Sequence, residues 1–235
     1  GIVPLIAETG GLNAMIIDST ALPEQVVSDV VTSAFRSAGQ RCSALRLLVL
    51  QEDVADRILD MLKGAMDALV VGDPLDIRAD VGPVIDEPAR DKLEAYRQSV
   101  KARWLHTIAT PANGLFVAPT IIELDRIEDL KQEWFGPILH VARWKAGALD
   151  DTIGRVNASG FGLTMGLHSR IAGASERVRQ LAKAGNLYVN RTMIGAVVGS
   201  QPFGGEGLSG TGPKAGGPHY VTRFATERVT TIDTT

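Results

Sequence analysis

The stretch that decides the fold runs from residue 23 to residue 50 and reads PEQVVSDVVTSAFRSAGQRCSALRLLVL. Its first part, Pro23 to Phe35, repeats apolar residues at helical spacing, and its last part, Leu45 to Leu50, is a continuous apolar run. These patterns predict an amphipathic helix, a small polar turn and a buried strand. The turn holds Cys42, the only cysteine of the chain. A thiol at such a turn can meet a ligand, whereas a lone cysteine is more often a small buried apolar residue.

Helical and extended patterns alternate along the rest of the chain. Apolar runs predict strands at Val3 to Ala7, Ala14 to Ile17, Phe116 to Leu124, Ile138 to Trp144, Leu163 to His168, Leu187 to Asn190 and Arg228 to Asp233. Helical spacing predicts helices at Glu52 to Leu69, Pro88 to Val100, Asp150 to Asn157, Ala174 to Ala184 and Pro218 to Ala225. The alternation favours an α/β fold in which helices cover both faces of a mostly parallel sheet.

The composition of the chain excludes some classes of function. The chain has 235 residues, of which 45% are hydrophobic and 22% charged, as in ordinary globular proteins. A net charge of −3 gives no reason to expect nucleic acid as a partner, and no apolar run has the length of a membrane segment. One cysteine cannot form an intrachain disulfide, which fits a reducing, cytoplasmic environment. The four histidines (His106, His140, His168 and His219) show no metal-ligand spacing with it, so no metal is predicted.

Further motifs stand around Cys42 in a fixed order. They read ETGGLN at 8–13, GQRCSA at 39–44, EWFGP at 133–137 and PFGG at 202–205. Together they resemble the aldehyde dehydrogenase superfamily, and GSQPFGG with GTGPKAGGP at 199–218 is most similar to one branch. That branch is the L-glutamate γ-semialdehyde (pyrroline-5-carboxylate) dehydrogenases, especially the dehydrogenase part of bacterial bifunctional proline utilization proteins. The resemblance covers nearly the whole chain and is weakest from Arg97 to Asn113.

The resemblance implies a domain organisation. Residues 1–225 are expected to form the aldehyde dehydrogenase catalytic domain, and residues 226–235 a C-terminal strand that pairs with another subunit of a homo-oligomer. In the family, the cofactor-binding domain lies mostly before the Glu-x-Gly-Gly motif, which here begins at Glu8. The chain is therefore expected to be a catalytic piece of a longer parent, inactive on its own and partnered there by the cofactor domain.

The chemistry of aldehyde oxidation calls for two protein groups. A nucleophile must form a tetrahedral adduct from which hydride can leave, and a base must activate water to hydrolyse the resulting thioester. The resemblance assigns these roles to Cys42 and Glu8, and Arg41 is expected to favour the thiolate. Without the resemblance, the pattern around Glu8 favours a solvated carboxylate at a strand end over a general base.

The resemblance also implies NAD as cofactor. Glu133 and Phe135 match the pair that holds the nicotinamide ribose and flanks the nicotinamide ring; the alternative is an acidic residue and a core aromatic before a turn. The match of Gly205 to Gly210 to the dinucleotide fingerprint G-x-G-x-x-G is rejected, because no strand precedes it and Pro213 prevents a helix. For the oxyanion hole, the resemblance offers the Cys42 backbone N–H and a side-chain amide from outside this chain.

Substrate choice is predicted from four residues. Ser43 and the backbone N–H groups of Gly195 and Ala196 match the positions that hold an α-carboxylate, and Phe203 would wall the methylene chain. The alternative for Gly195 and Ala196 is a loop spacer. The predicted function is NAD-dependent oxidation of L-glutamate γ-semialdehyde to L-glutamate in proline catabolism. Two alternatives remain: a dehydrogenase for another small aldehyde, and a non-catalytic assembly fragment.

Overall fold

A computed structural model describes residue 1 and residues 3–235. The strands are β1 (Ala14–Ile17), β2 (Leu47–Gln51), β3 (Trp104–Thr107), β4 (Thr120–Glu123), β5 (Ile138–Trp144), β6 (Phe161–Gly162), β7 (Thr164–His168), β8 (Asn186–Val189) and β9 (Glu206–Gly207). The α-helices are α1 (Pro23–Phe35), α2 (Glu52–Asp67), α3 (Glu87–Ser99), α4 (Leu149–Asn157) and α5 (Ala172–Leu181). Short 3₁₀ turns occupy Arg36–Gly39, Lys101–Arg103, Ile127–Asp129 and Val221–Phe224.

Seven strands form one sheet in the order β3-β4-β5-β2-β1-β7-β8. Every neighbouring pair is parallel except β3 with β4, which is antiparallel at one edge. The predicted α/β fold with a mostly parallel sheet is therefore confirmed. Strand β3 was not predicted, because all four of its residues are only half-buried and form no apolar run.

Helices cover the sheet on both faces, as predicted. Strand β1 shows why, because Met15 and Ile17 pack in one core with α1 and α2, while Ala14 and Ile16 pack in a second core with α4 and α5. Successive side chains of a strand point to opposite faces, so a strand buried on both sides must be apolar throughout. All four β1 residues are fully buried.

One of the two predicted terminal strands is wrong, and the other stays a prediction. Val3 and Leu5 are 79% and 72% exposed. Among the described residues, the segment from Val3 to Ala7 is hydrogen-bonded only to Thr211 of the glycine-rich loop (residues 199–217), through Ala7 and the Leu5 carbonyl. Residues 226–235 are exposed and form no strand with any described residue of this chain. Their predicted role in oligomerisation is untouched by this and stays a prediction.

The sheet positions the motifs at one end. Glu8, Cys42 and Glu133 each precede a parallel strand (β1, β2 and β5), and these three strands lie side by side. The amino ends of parallel strands meet at one edge, so the three motifs converge there. Among the described residues, no helix combines the length and apolar character that crossing a bilayer requires.

Candidate active site

The turn that carries Cys42 begins with an unusual backbone. After α1, Ser37, Ala38 and Gly39 take positive φ angles of 58°, 52° and 65°. Residues other than glycine pay for this left-handed conformation, and such strain is common where a functional group must be presented. A hydrogen bond from the Ala44 N–H to the Arg41 carbonyl then closes the turn, and Cys42 is exposed within it.

The side chain of Asn13 fixes the cysteine turn through hydrogen bonds to its backbone. Its buried side-chain Nδ2 donates to the carbonyls of Cys42 (2.6 Å) and Ala44 (2.9 Å), and its Oδ1 accepts from the Thr164 N–H (3.2 Å). The sequence showed Asn13 as the last residue of a motif but assigned it no role. Because this amide is fully engaged, it positions the nucleophile and is not available as an oxyanion donor.

The pKa of the Cys42 thiol is shifted in the direction opposite to the one expected from Arg41. Desolvation raises the pKa of Cys42, the N–H groups of Ser43 and of Cys42 itself oppose this, and the carboxylates of Glu133 and Glu8 raise it further by charge repulsion. The prediction that Arg41 favours the thiolate is wrong, because its guanidinium instead donates to Ser37 Oγ at 3.1 Å. Burial and the two carboxylates therefore favour the neutral thiol of Cys42 over the thiolate.

Glu133 is held in a half-buried position. Its Oε1 accepts from Arg46 at 3.2 Å, and it also accepts the N–H of Gly11. Its Oε2 lies directly against Gly10, where an added Cβ would come within 1.7 Å of it. Burial raises the pKa of Glu133, while the Arg46 charge and the Gly11 N–H oppose that shift.

Arg46 organises this side of the site, although the sequence analysis gave it no function. It is 1% exposed and its guanidinium donates to the carbonyls of Gly136 (3.2 Å) and Arg41 (3.1 Å) as well as to Glu133. Its carbon Cζ also lies 5.1 Å from the centre of the Phe135 ring. Arg46 thus joins the cysteine turn to the Glu133 motif; the signal in the sequence was one arginine at the start of a buried apolar run.

Phe135 is presented outward. It is 44% exposed, one of its faces rests on Arg46, and the neighbouring Trp134 stacks on Tyr96 with ring centroids 3.7 Å apart. A carboxylate with accepting oxygens beside an exposed aromatic ring fits a ligand that carries sugar hydroxyls and a flat ring. The pair Glu133 and Phe135 therefore offers a hydrogen-bond acceptor and an aromatic face to a ligand.

Glu8 is seated on the glycine-rich loop. Its Oε2 accepts the Gly205 N–H at 3.3 Å, and a Cβ added to Gly204 or Gly210 would lie 3.0 or 3.2 Å from its carboxylate. Lys214 Nζ in turn donates to the Gly204 carbonyl at 2.5 Å. The carboxylate is exposed and acts on the Cys42 pKa, so it can reach water near the thiol.

The predicted carboxylate-binding segment runs alongside α1. Gln25 Nε2 donates to the Asn190 carbonyl at 2.7 Å, and eight residues later Ser33 Oγ accepts the Met193 N–H at 3.0 Å. The chain after β8 therefore returns along the helix toward the end of the sheet that carries the cysteine turn. Beyond the buried Ile194, Gly195 and Ala196 are exposed, and Gly195 has a φ of 114° that favours glycine.

The two remaining predicted substrate residues flank these groups. Ser43 is buried beside the thiol, and its hydroxyl makes no hydrogen bond with any described residue. Phe203 is half-buried, and its backbone is fixed by paired hydrogen bonds with Ala215 (3.0 and 2.7 Å) next to the seat of Glu8.

The rejection of a dinucleotide fingerprint at Gly205 to Gly210 agrees with the structure. Residues 206–207 form the short strand β9 paired with β6, and no helix follows them. Within residue 1 and residues 3–235, no group of three or more His, Cys, Asp or Glu side chains has the arrangement of a metal site.

Comparison with known proteins gives a consistent picture. A model of the aldehyde dehydrogenase family matches residues 1–230. The bifunctional protein PutA of Klebsiella aerogenes is 54% identical over 96% of the chain, which spans only 18% of that relative. The crystal structure of a bifunctional proline utilization A protein superposes with a TM-score of 0.95 at 58% identity, over 97% of this chain and 23% of that one.

A smaller relative has a cofactor in its structure. The 1-pyrroline-5-carboxylate dehydrogenase from Thermus, determined with bound NAD, superposes with a TM-score of 0.86 at 34% identity. The match covers 93% of this chain and 43% of that enzyme.

Proposed function

The chain belongs to the aldehyde dehydrogenase family, and on that premise we propose that it forms the catalytic domain of an NAD-dependent L-glutamate γ-semialdehyde dehydrogenase. The observation that carries the proposal is the exposed Cys42 thiol within electrostatic range of the carboxylates of Glu8 and Glu133. Relatives named PutA and 1-pyrroline-5-carboxylate dehydrogenase support the substrate, and a relative determined with NAD supports the cofactor. We further propose a cytoplasmic enzyme acting in proline catabolism.

Cys42 begins the reaction as nucleophile. Its sulfur, once deprotonated, adds to the aldehyde carbon, and the carbonyl oxygen becomes an oxyanion that the Cys42 backbone N–H can stabilise. Among the described residues, no backbone carbonyl accepts a hydrogen bond from that N–H. NAD, when bound, supplies the acceptor for the hydride that leaves this adduct. Glu133 would hold the ribose hydroxyls and Phe135 would face the nicotinamide ring.

Glu8 completes the reaction as general base. The thioester on Cys42 is hydrolysed when Glu8 takes a proton from water and the hydroxide adds to the acyl carbon. The carbon–sulfur bond then breaks, which releases L-glutamate and restores the thiolate. Its seat on the Gly205 N–H keeps the carboxylate in place but leaves it exposed to water.

Substrate recognition is proposed to rest on Ser43, Gly195, Ala196 and Phe203. The Ser43 hydroxyl and the two backbone N–H groups would bind the α-carboxylate, and the Phe203 ring would line the methylene chain. We propose residues 1–225 as the catalytic domain and residues 226–235 as the segment that pairs with another copy in a homo-oligomer.

The test is kinetic and uses the full-length enzyme that contains this domain. We expect NADH formation with glutamate semialdehyde to exceed that with butanal, and Cys42→Ala to abolish both while NAD binding stays near normal. Turnover by that variant would remove Cys42 from the mechanism. Similar rates on the two aldehydes would favour a dehydrogenase for another small aldehyde, and no turnover on any aldehyde would favour an assembly role.

The 235 residues alone are proposed to bind NAD weakly and to have negligible activity. Glu133 and Phe135 contact only the nicotinamide end of the cofactor, and the remaining contacts would come from a separate domain. A calorimetric titration of the isolated chain measures this. Micromolar affinity for NAD would contradict the proposal.

A further inference from the structure

The loop of small residues from Ile194 to Gln201 has one charged residue at its base. From Asn190 to Phe203 the sequence contains a single ionisable side chain, Arg191. The loop is closed by paired backbone hydrogen bonds between Val197 and Gln201 (3.0 and 2.7 Å). Whatever charge this loop presents to a ligand therefore comes from Arg191.

The Arg191 side chain is held across the base of the loop. Its Nη1 donates to Gln201 Oε1 at 3.0 Å, its Nε donates to the Thr192 carbonyl at 3.3 Å, and its Cζ lies 5.1 Å from the centre of the Tyr188 ring. These contacts fix the guanidinium plane in the free protein. Binding of a ligand therefore causes little further loss of side-chain entropy.

One edge of this guanidinium faces the proposed carboxylate position. The direction in which a Gly195 side chain would point leads to Arg191 Nη2, 3.8 Å from an added Cβ. Nη2 makes no hydrogen bond with any described residue, and it is not sealed away from solvent. A donor with unused hydrogens thus lies beside a backbone that glycine leaves open.

The charge of Arg191 is not neutralised. Arg191 forms no ion pair within 4.0 Å in the part of the chain that the structure describes. The Asp29 carboxyl, in α1, is within electrostatic range of Arg191 but outside ion-pair distance; burial raises the pKa of Asp29, and the Arg191 charge opposes that shift. An arginine without an acidic partner beside a ligand site is suited to bind an anion.

The position of Tyr188 connects Arg191 with the nucleophile. The Tyr188 hydroxyl is buried without a hydrogen-bond partner, and its ring lies under the Arg191 guanidinium. Burial raises the pKa of Tyr188, the neighbouring Arg191 charge lowers it, and the Cys42 sulfur lies close enough to raise it. Tyr188 thus contacts Arg191 through its ring and lies within electrostatic range of the Cys42 sulfur.

We infer that Arg191 is a specificity-determining residue that attracts the substrate's α-carboxylate to the Gly195 backbone. The inference rests on the proposed function and deepens it, because backbone N–H groups alone bind any carbonyl oxygen, whereas a cation selects a carboxylate. An aldehyde with a carboxylate several bonds from its reactive carbon gains this attraction; an uncharged aliphatic aldehyde gains nothing from it.

The experiment compares two substrates in the full-length enzyme. We expect Arg191→Met to lower the ratio of kcat/KM for glutamate semialdehyde to that for butanal by about ten- to a hundredfold, the range for one charge-assisted hydrogen bond. Arg191→Lys should recover part of the ratio because it keeps the charge. Raising the ionic strength should reduce the wild-type ratio and leave that of Arg191→Met nearly constant.

Gln201→Met is the matched control, because it removes the same 3.0 Å hydrogen bond and keeps the arginine charge. If it reproduces the full loss seen with Arg191→Met, or if Arg191→Met impairs both substrates equally, Arg191 only supports the loop and the inference is wrong. An unchanged ratio also overturns it. Failure of the proposed function is distinct, since the wild-type enzyme itself would then show no preference for glutamate semialdehyde.

Discussion

The carboxylate of Glu133 lies against the bare α-carbon of Gly10. An ideal Cβ at Gly10 would be 1.7 Å from Glu133 Oε2, so the acidic group can occupy its position only over glycine. The Gly-Gly pair of the first motif and the glutamate of the third are therefore one structural unit, although 123 residues separate Gly10 from Glu133.

Gly10→Ala should impair cofactor binding more than folding. The added methyl group pushes away the end of a flexible side chain, so we expect a KM for NAD about tenfold higher and a loss of stability below about 1 kcal/mol. Steady-state kinetics and urea unfolding measure the two effects. Gly64→Ala in α2 is the control, because a Cβ there meets nothing within 4 Å. A KM unchanged by Gly10→Ala would separate Glu133 from NAD binding.

Arg46→Met should affect both stability and the cofactor site. It leaves Glu133 without its cation and two carbonyls without a donor, at a cost of about 3 kcal/mol in the free energy of unfolding. We expect the KM for NAD to rise as well, because Phe135 loses the group on which it rests. Arg46→Lys keeps the charge but cannot make all three hydrogen bonds. Its free energy of unfolding and its KM for NAD should lie between those of the wild type and Arg46→Met. Lost stability with an unchanged KM would limit Arg46 to a structural role.

The ionisation of Cys42 should respond to Glu133. Repulsion by the carboxylate raises the pKa of Cys42, so Glu133→Gln should lower it and shift the pH profile of alkylation by iodoacetamide toward lower pH. The measurement needs no cofactor or substrate. Glu8→Gln should shift the profile in the same direction by less, since Glu8 contributes less to the repulsion. Identical profiles in wild type and Glu133→Gln would contradict the electrostatic account.

Ser43→Ala tests the proposed carboxylate site from its other side. A charge-assisted hydrogen bond contributes roughly 1.5–3 kcal/mol, so kcat/KM for glutamate semialdehyde should fall by about ten- to a hundredfold. The effect on a simple aliphatic aldehyde should be much smaller. Equal losses on both substrates would point to a displaced Cys42 thiol, and no loss on either would exclude Ser43 from the site.

His140 should make the protein sensitive to acid. It is fully buried between Tyr96 and Arg46, and burial lowers its pKa to about 4. The unfolded chain takes up a proton near pH 6.5, whereas the folded chain does so only near pH 4. Stability is therefore complete above about pH 6.5 and falls as the pH drops toward 4, by about 3 kcal/mol.

Urea unfolding at a series of pH values measures this loss. His140→Gln keeps a polar side chain without a titrating group, and should flatten the dependence between pH 6.5 and 4. His168, whose pKa burial also lowers to about 4, should account for most of the slope that remains. A slope unaffected by the substitution would mean that His140 is protonated in the folded state.

Local patterns predicted most of the architecture. Burial on one or both faces of an element produces a recognisable pattern of apolar residues. This pattern predicted strands β1, β2, β5 and β7 from apolar runs and helices α1 and α2 from helical spacing. Strand β3 was not predicted, because a half-buried edge strand needs no apolar run. The strand predicted at Val3 to Ala7 is wrong because this segment is apolar but has no neighbouring strand among the described residues.

The sequence by itself determined the order of the motifs around Cys42 and, from that order, the family and the candidate residues. Only the tertiary structure decided how those residues are held and charged. Arg46, Asn13 and Arg191 act through contacts with backbone or side chains distant in sequence or across a loop, and no local period records such contacts. The sign of the Cys42 pKa shift depended likewise on desolvation and on the distances to Glu133 and Glu8, quantities that exist only once the chain has folded.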